Sequence, residues 1–248
     1  LDFGSSASAD VINGWVDKNT DGKITQLVSR ADIAQASAVL TNAVYFHGEW
    51  QRKFDKADTH DEPFTLANGS TKSVPLMSQT GSFSYLDTSQ FQAASLPYGT
   101  GRMSLYVFLP KKGTSLEALV KQLDRKSASR WIGAMQPTRM NIMLPRFHAD
   151  YRTELKAPLS TLGMASAFEY AADFSPMGLP PQTCISNVIH KAVLDVDEKG
   201  TVAAAATGIT MRALSRQTMP TTVMRVDHPF YLAIRDTASG AILFEGVI

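Results

Sequence analysis

Apolar residues recur along this chain at two spacings, and the spacings divide it into helices and strands. Residues 8–18 set Val11, Ile12, Trp15 and Val16 on one stripe, which predicts a helix. Residues 36–47 alternate instead, with Val39, Thr41, Ala43 and Tyr45 opposite Leu40, Asn42, Val44 and Phe46, and predict a long strand. Glu62 to Leu76 predicts a hairpin turning at Asn68-Gly69. Met103 to Leu109 is short and almost wholly apolar, as in a strand buried on both faces. Thr114-Ser115-Leu116-Glu117 has capping-box spacing and opens a helix through Leu123. Arg139 to Phe147 returns to strand, and Thr153 to Leu162 predicts a short helix interrupted at Pro158. Pro176 to Pro181 breaks the chain, a strand starts at Ser186, and two closing strands are expected near 222–234 and 241–247. Helices and strands mix without repeat or strict βα alternation, so the expected class is α+β.

One stretch obeys neither period simply. Thr201-Val202-Ala203-Ala204-Ala205-Ala206-Thr207-Gly208 carries four alanines, the best helix formers, between glycines and β-branched residues that favour extended chain. Read with period two, both faces stay small and uncharged until Arg212. A segment that must slip into a closed sheet, with neighbours on both edges and side chains on both faces, needs this composition. The same composition also fits an Ala-rich surface loop or a short helix.

Composition narrows the class without choosing a function. The 248 residues are 44% hydrophobic and 19% charged, enough for one sizeable core. Twenty-four basic residues against 23 acidic ones leave a net charge of +1, which gives no sign of a nucleic-acid or membrane surface. Cys184 is alone, so no disulfide can form within the chain.

Candidate chemistry is sparse. Asp17-Lys18-Asn19-Thr20-Asp21-Gly22-Lys23-Ile24 matches the first eight positions of an EF-hand calcium loop, but position twelve, which needs a bidentate carboxylate, is Val28. No metal site is therefore expected. The five histidines are scattered, and no HExxH, Walker loop or Gly-x-Ser-x-Gly elbow occurs. Tyr98-Gly99-Thr100-Gly101-Arg102 is a glycine-bearing turn lacking the third glycine of a dinucleotide fingerprint. Asn68-Gly69-Ser70 is formally a glycosylation sequon, though the hairpin turn accounts for it. No enzymatic activity and no cofactor are expected.

Several blocks together resemble the serpin family, and they occur in the family's order from Leu1 to Ile248. They are Leu40–Trp50, Val188–Leu194, Asp197-Glu198-Lys199-Gly200-Thr201, Asp227–Asp236 and Gly240–Gly246. The chain resembles about the last two-thirds of a serpin and is expected to be a fragment of one domain, 1–248, without the N-terminal helices. The resemblance implies large mixed and antiparallel sheets with surrounding helices and an exposed reactive loop at about 198–221. It implies a suicide inhibitor of serine proteases, with cysteine proteases as a second class of target. Such a protein is expected to act outside the cell as a monomer. The alternative is a non-inhibitory serpin that acts as a binding or chaperone-like protein.

Residue by residue, the resemblance assigns a hinge to Glu198, Gly200, Thr201, Ala203, Ala204, Ala205 and Ala206. Val202 stands where a glutamate is frequent. Counting from the hinge places the scissile bond at Leu214-Ser215, which suits chymotrypsin-, elastase- or subtilisin-like proteases. The stretch from Leu214 to Pro229 is slightly long for the family, which leaves Arg212 and Arg216 as alternative bait for trypsin-like enzymes. Asn42 and His190 match a polar pair under the centre of the main sheet, and His190 is compatible with a satisfied core histidine. Trp50 matches a large side chain where the loop first inserts. Arg146 and Glu198 match a partly exposed ion pair at the top of the sheet, worth about 0–1 kcal/mol. In the implied mechanism the protease forms its acyl-enzyme on the loop, which then inserts as a new strand and deforms the trapped protease. New main-chain hydrogen bonds at roughly 0.5–1.5 kcal/mol each nearly cancel ordering costs of about 1–2 kcal/mol per residue, so hinge side chains decide the direction.

Overall fold

The computed structural model describes residues 1–5, 7–201 and 222–248. In chain order the helices are α1 (Ala7–Asn19), α2 (Arg30–Ile33), α3 (Leu116–Gln122), α4 (Arg125–Ala134) and α5 (Lys156–Leu159). The first strands are β1 (Ala38–Tyr45), β2 (Gly48–Glu49), β3 (His60–Thr65), β4 (Thr71–Asp87), β5 (Phe91–Tyr98) and β6 (Met103–Pro110). They are followed by β7 (Gln136–Pro145), β8 (Phe147–Glu154), β9 (Ile185–Val196) and β10 (Gly200–Thr201). The last are β11 (Thr222–Arg225), β12 (Tyr231–Asp236) and β13 (Ile242–Val247). The described residues fall into two compact units, Leu1–Phe46 with His148–Leu194, and His47–Phe147 with Asp195–Ile248.

The first unit is a three-stranded sheet in the order β1-β9-β8 under α1. β1 and β9 run parallel and pair directly, from Ala38↔Ile185 to Tyr45↔Val193. One face of this pair carries Val39, Ala43, Ile189 and Val193 into a core with Ala9, Ile12, Val16, Ile24, Leu27, Val28 and Ile33. Val28 is 1% exposed in that core, so position twelve of the calcium-like loop is an apolar packing residue. The helical stripe is half right. Ile12 and Val16 face the core, while Val11 and Trp15 point to solvent at 54% and 61% exposure. The side chain of Asn13 fixes α1 to the loop beneath it, donating to the Val28 carbonyl and accepting from Leu27 and Val28 N–H.

Asp32 closes a capping box with Ser29 and pairs with Arg152 of β8 at 2.7 Å. Burial alone would raise its pKa, but the Ser29 N–H and hydroxyl and the Arg152 guanidinium outweigh burial and hold it below the ordinary carboxylate value. A depressed folded pKa stabilises above the unfolded value and loses that contribution as pH falls through the folded one. Asp32→Asn is therefore expected to lower the melting temperature at pH 7, with the gap to the parent narrowing below about pH 4. Thermal melts across that range test it.

The second unit holds an eight-stranded sheet in the order β11-β7-β4-β5-β6-β12-β13, with β3 added on β4. The β3–β4 hairpin closes where expected, with Thr65 opposite Thr71 and Gly69 at φ +81°. Five residues, Leu66 to Ser70, connect the strands instead of two, and the Leu66 N–H donates to the Ser70 carbonyl within this connection. β4 then continues to Asp87, pairing with β7 and afterwards with β5. Ser115, not Thr114, caps α3, because its hydroxyl accepts from the Ala118 N–H. Pro158 does not interrupt a helix; it lies in the first turn of α5, where no intrahelical partner is needed for its missing N–H. The expected strand at 222–234 is two strands, β11 and β12, separated by Val226–Phe230.

Phe91, Phe108, Trp131 and Tyr231 form the core between β5, β6, β12 and the helices α3 and α4. The Phe91 and Trp131 rings lie 4.7 Å apart, and Phe91 is 1% exposed. Phe91→Ala is expected to destabilise by about 3–5 kcal/mol through lost contacts and the cavity left behind. Urea unfolding of the variant measures this directly.

Candidate functional site

The site is built around the turn that follows β9. Asp197-Glu198-Lys199-Gly200 places Asp first and Gly last, the preference of a four-residue turn. The Asp197 carboxylate accepts from the Lys199 and Gly200 N–H groups at 2.8 and 3.1 Å, and the Asp197 N–H donates to the Gly200 carbonyl at 2.8 Å. β10 then pairs antiparallel with β2, Gly200 facing Glu49 and Thr201 facing Gly48. Gly200 has φ +151°, and a Cβ there would lie 2.1 Å from the Gly48 carbonyl oxygen. Only glycine fits this position.

Trp50 walls the turn. It is 3% exposed and stacks on Tyr98 with ring centroids 4.4 Å apart. Its indole N–H donates to the Asp197 carbonyl at 2.8 Å and its backbone N–H to the Lys199 carbonyl at 2.9 Å. Thr201 is fully buried, with its hydroxyl 2.9 Å from that of Tyr98. Burial pushes the Tyr98 phenol far above its usual pKa, so it remains a neutral hydrogen-bonding group.

Glu198 is buried and Arg146 is about half exposed, so the ion pair is partly exposed, on the arginine side. Arg146 Nη1 lies 3.6 Å from Glu198 Oε1, with side-chain exposures of 48% and 3%. The Thr59 hydroxyl donates to the same carboxylate at 3.0 Å, and the Phe54 N–H holds the Glu198 carbonyl at 2.8 Å. Arg146, Glu198 and Thr59 line an open cleft of about 420 Å³ together with Lys56, His60, Asp61 and Pro75.

In the first unit, Asn42 and His190 are cross-strand partners on β1 and β9, with Oδ1 and Nδ1 3.2 Å apart. They lie on the face opposite the α1 core. Asn42 is exposed and His190 half-buried, so His190 is not a core histidine among the described residues. Ala203, Ala204, Ala205, Ala206, Arg212, Leu214, Ser215 and Arg216 lie outside the described residues.

Trp50, Arg146, Glu198, Gly200 and Thr201 are thus brought together in one unit. Tyr98 and Thr59 complete the arrangement and were missed. The signal for Tyr98 was its place before the Gly99-Thr100-Gly101 turn, which brings β5 back beside Trp50 through the Trp50↔Tyr98 bridge. Thr59 had no local signal, since its partner is 139 residues away.

A parallel strand pair, a glycine-only turn and a buried threonine before a run of alanines in the sequence coincide with the serpin-like blocks of this chain. Comparison with known proteins agrees. The family model described as serpin (serine protease inhibitor) matches residues 1–248. The chain is 35% identical to human Serpin B11 over 99% of its own length and 64% of that protein. It is 34% identical to plasminogen activator inhibitor 1 of Neovison vison, over 96% of its length and 60% of the relative. The crystal structure of the thermophilic serpin tengpin in its native state superposes with TM-score 0.86 at 28% identity, covering 98% of this chain and 63% of that one. The chain belongs to the serpin family and has its α+β fold. It spans less than two-thirds of the length of these relatives.

Proposed function

We propose that this serpin inhibits serine proteases by covalent trapping and loop insertion. The observation that carries this reading is the hinge turn. Gly200 occupies a conformation open only to glycine, Thr201 is already buried against Tyr98, and four alanines follow after Val202. Small side chains at the head of the loop let it enter a sheet without burying charge. In this reading Trp50 and Tyr98 form the wall that the incoming strand first meets, while Glu198 and Arg146 fix the top of β9. Asn42 and His190 join the two strands that must part.

The bait bond is Leu214-Ser215, with Arg212 and Arg216 as alternatives. The partner is a protease with a hydrophobic primary pocket. The test is a denaturing gel of the full-length protein incubated separately with chymotrypsin, subtilisin and trypsin, with mass spectrometry of the released C-terminal peptide. A stable higher-mass band with a peptide beginning at Ser215 is expected. Cleavage without such a band would move the reading to a non-inhibitory, binding serpin.

A further inference from the structure

The chain contains two Asn-Gly dipeptides, Asn13-Gly14 and Asn68-Gly69, and the fold treats them oppositely. Asn is among the chemically labile side chains, and glycine after it leaves the next backbone nitrogen sterically open. Asn13 lies within α1, where its amide nitrogen donates to the Val28 carbonyl at 2.8 Å and its oxygen accepts from the Leu27 and Val28 N–H groups. Helical backbone and a side chain held at both ends keep the Gly14 nitrogen and the Asn13 Cγ apart.

Asn68 sits at the exposed tip of the β3–β4 hairpin. Gly69 has φ +81°, and nothing lies within 4 Å of where its Cβ would be. Asn68 Oδ1 accepts two hydrogen bonds, from the Ser70 N–H at 3.0 Å and the Ser70 hydroxyl at 2.7 Å. No hydrogen bond holds the Asn68 amide nitrogen among the described residues, so the leaving group is unrestrained. The Gly69 N–H donates to the Leu66 carbonyl at 2.9 Å, a single bond at a solvent-exposed tip that local opening releases.

From this contrast we infer that Asn68 is a site of spontaneous, self-directed deamidation and Asn13 is not. Solvent hydroxide takes the Gly69 amide proton, and the nitrogen adds to Asn68 Cγ. Negative charge develops on Oδ1, where the two Ser70 donors stabilise it as oxyanion donors do. Water then protonates Nδ2, the Cγ–Nδ2 bond breaks as the oxyanion collapses, and ammonia leaves, giving a succinimide. Water then opens the ring at either carbonyl, yielding aspartate or isoaspartate at position 68. The formal net charge falls from +1 to zero, and the isoaspartate product adds a backbone carbon to the hairpin connection.

The test is incubation of the full-length protein, made in a bacterial host, at neutral pH and 37 °C, with peptide mass spectrometry over weeks. Asn68 is expected to convert at least about tenfold faster than Asn13, a ratio equivalent to ~1.4 kcal/mol of barrier. In urea the two sites should convert at similar rates, which assigns the difference to the fold. Ser70→Ala should slow conversion at Asn68 by roughly threefold to tenfold, a smaller effect than in a water-excluded oxyanion hole. Equal folded-state rates at the two sites, or no conversion of Asn68 above Asn13, would overturn the inference. An unchanged rate in Ser70→Ala would remove Ser70 from it.

Discussion

Replacing Thr201 by arginine is expected to abolish stable protease complexes while leaving the loop cleavable. Thr201 is fully buried, and its polar contact is the hydroxyl of Tyr98. Arginine would bring a charge to a fully buried position, and burying an unpaired charge costs several kcal/mol. The hinge would then insert slowly or not at all, and the acyl-enzyme would hydrolyse first. An added barrier of only ~1.4 kcal/mol already shifts that competition tenfold. The molar ratio of inhibitor needed to silence a protease should therefore rise by at least about tenfold. Thr201→Ser keeps the hydroxyl and should keep inhibition. Titration of chymotrypsin activity with each variant reads the effect. Stable complexes surviving in Thr201→Arg would sink the insertion mechanism for this protein.

The second large effect is expected at Gly200. Its backbone lies in the positive-φ region, and an added Cβ would meet the Gly48 carbonyl, the Glu49 Cα and the Trp50 nitrogen at 2.1, 2.6 and 2.9 Å. All three are backbone atoms, so no side-chain rotation relieves the clash. The turn must open or β10 must leave β2. Gly200→Ala is expected to cost on the order of 3 kcal/mol. For a chain of this size that is a fall of roughly 6–12 °C in melting temperature. Gly246→Ala is the control: its Cβ would meet nothing within 4 Å and its φ is not positive. That variant should stay within about 0.5 kcal/mol of the parent.

Much of this fold is legible where local pattern and tertiary context agree. β6 reads as a buried strand because every residue after Met103 is buried on one face or the other. The β3–β4 hairpin reads from Asn68-Gly69, since the positive φ of Gly69 is a local demand. The 17-residue reach of β4 does not read, because Ser78-Gln79-Thr80-Gly81-Ser82 looks like loop, and only pairing with β7 makes it strand. The exposed Val11 and Trp15 were misassigned for a related reason: helical spacing cannot say how wide the covered stripe is. At the site, Gly200, Thr201 and Glu198 are legible because a continuous motif carries them. Tyr98 and Thr59 are not, since each meets its partner only through folding.

β1 and β9 run in the same direction and lie side by side. A segment that follows β9 and doubles back must run opposite to β9, and therefore opposite to β1 as well. Setting such a segment between them removes one parallel ladder and creates two antiparallel ones, the more stable pairing per residue. The number of paired strand edges rises with no change in any side chain. In the proposed insertion, the closed pair is therefore the less fully paired of the two arrangements.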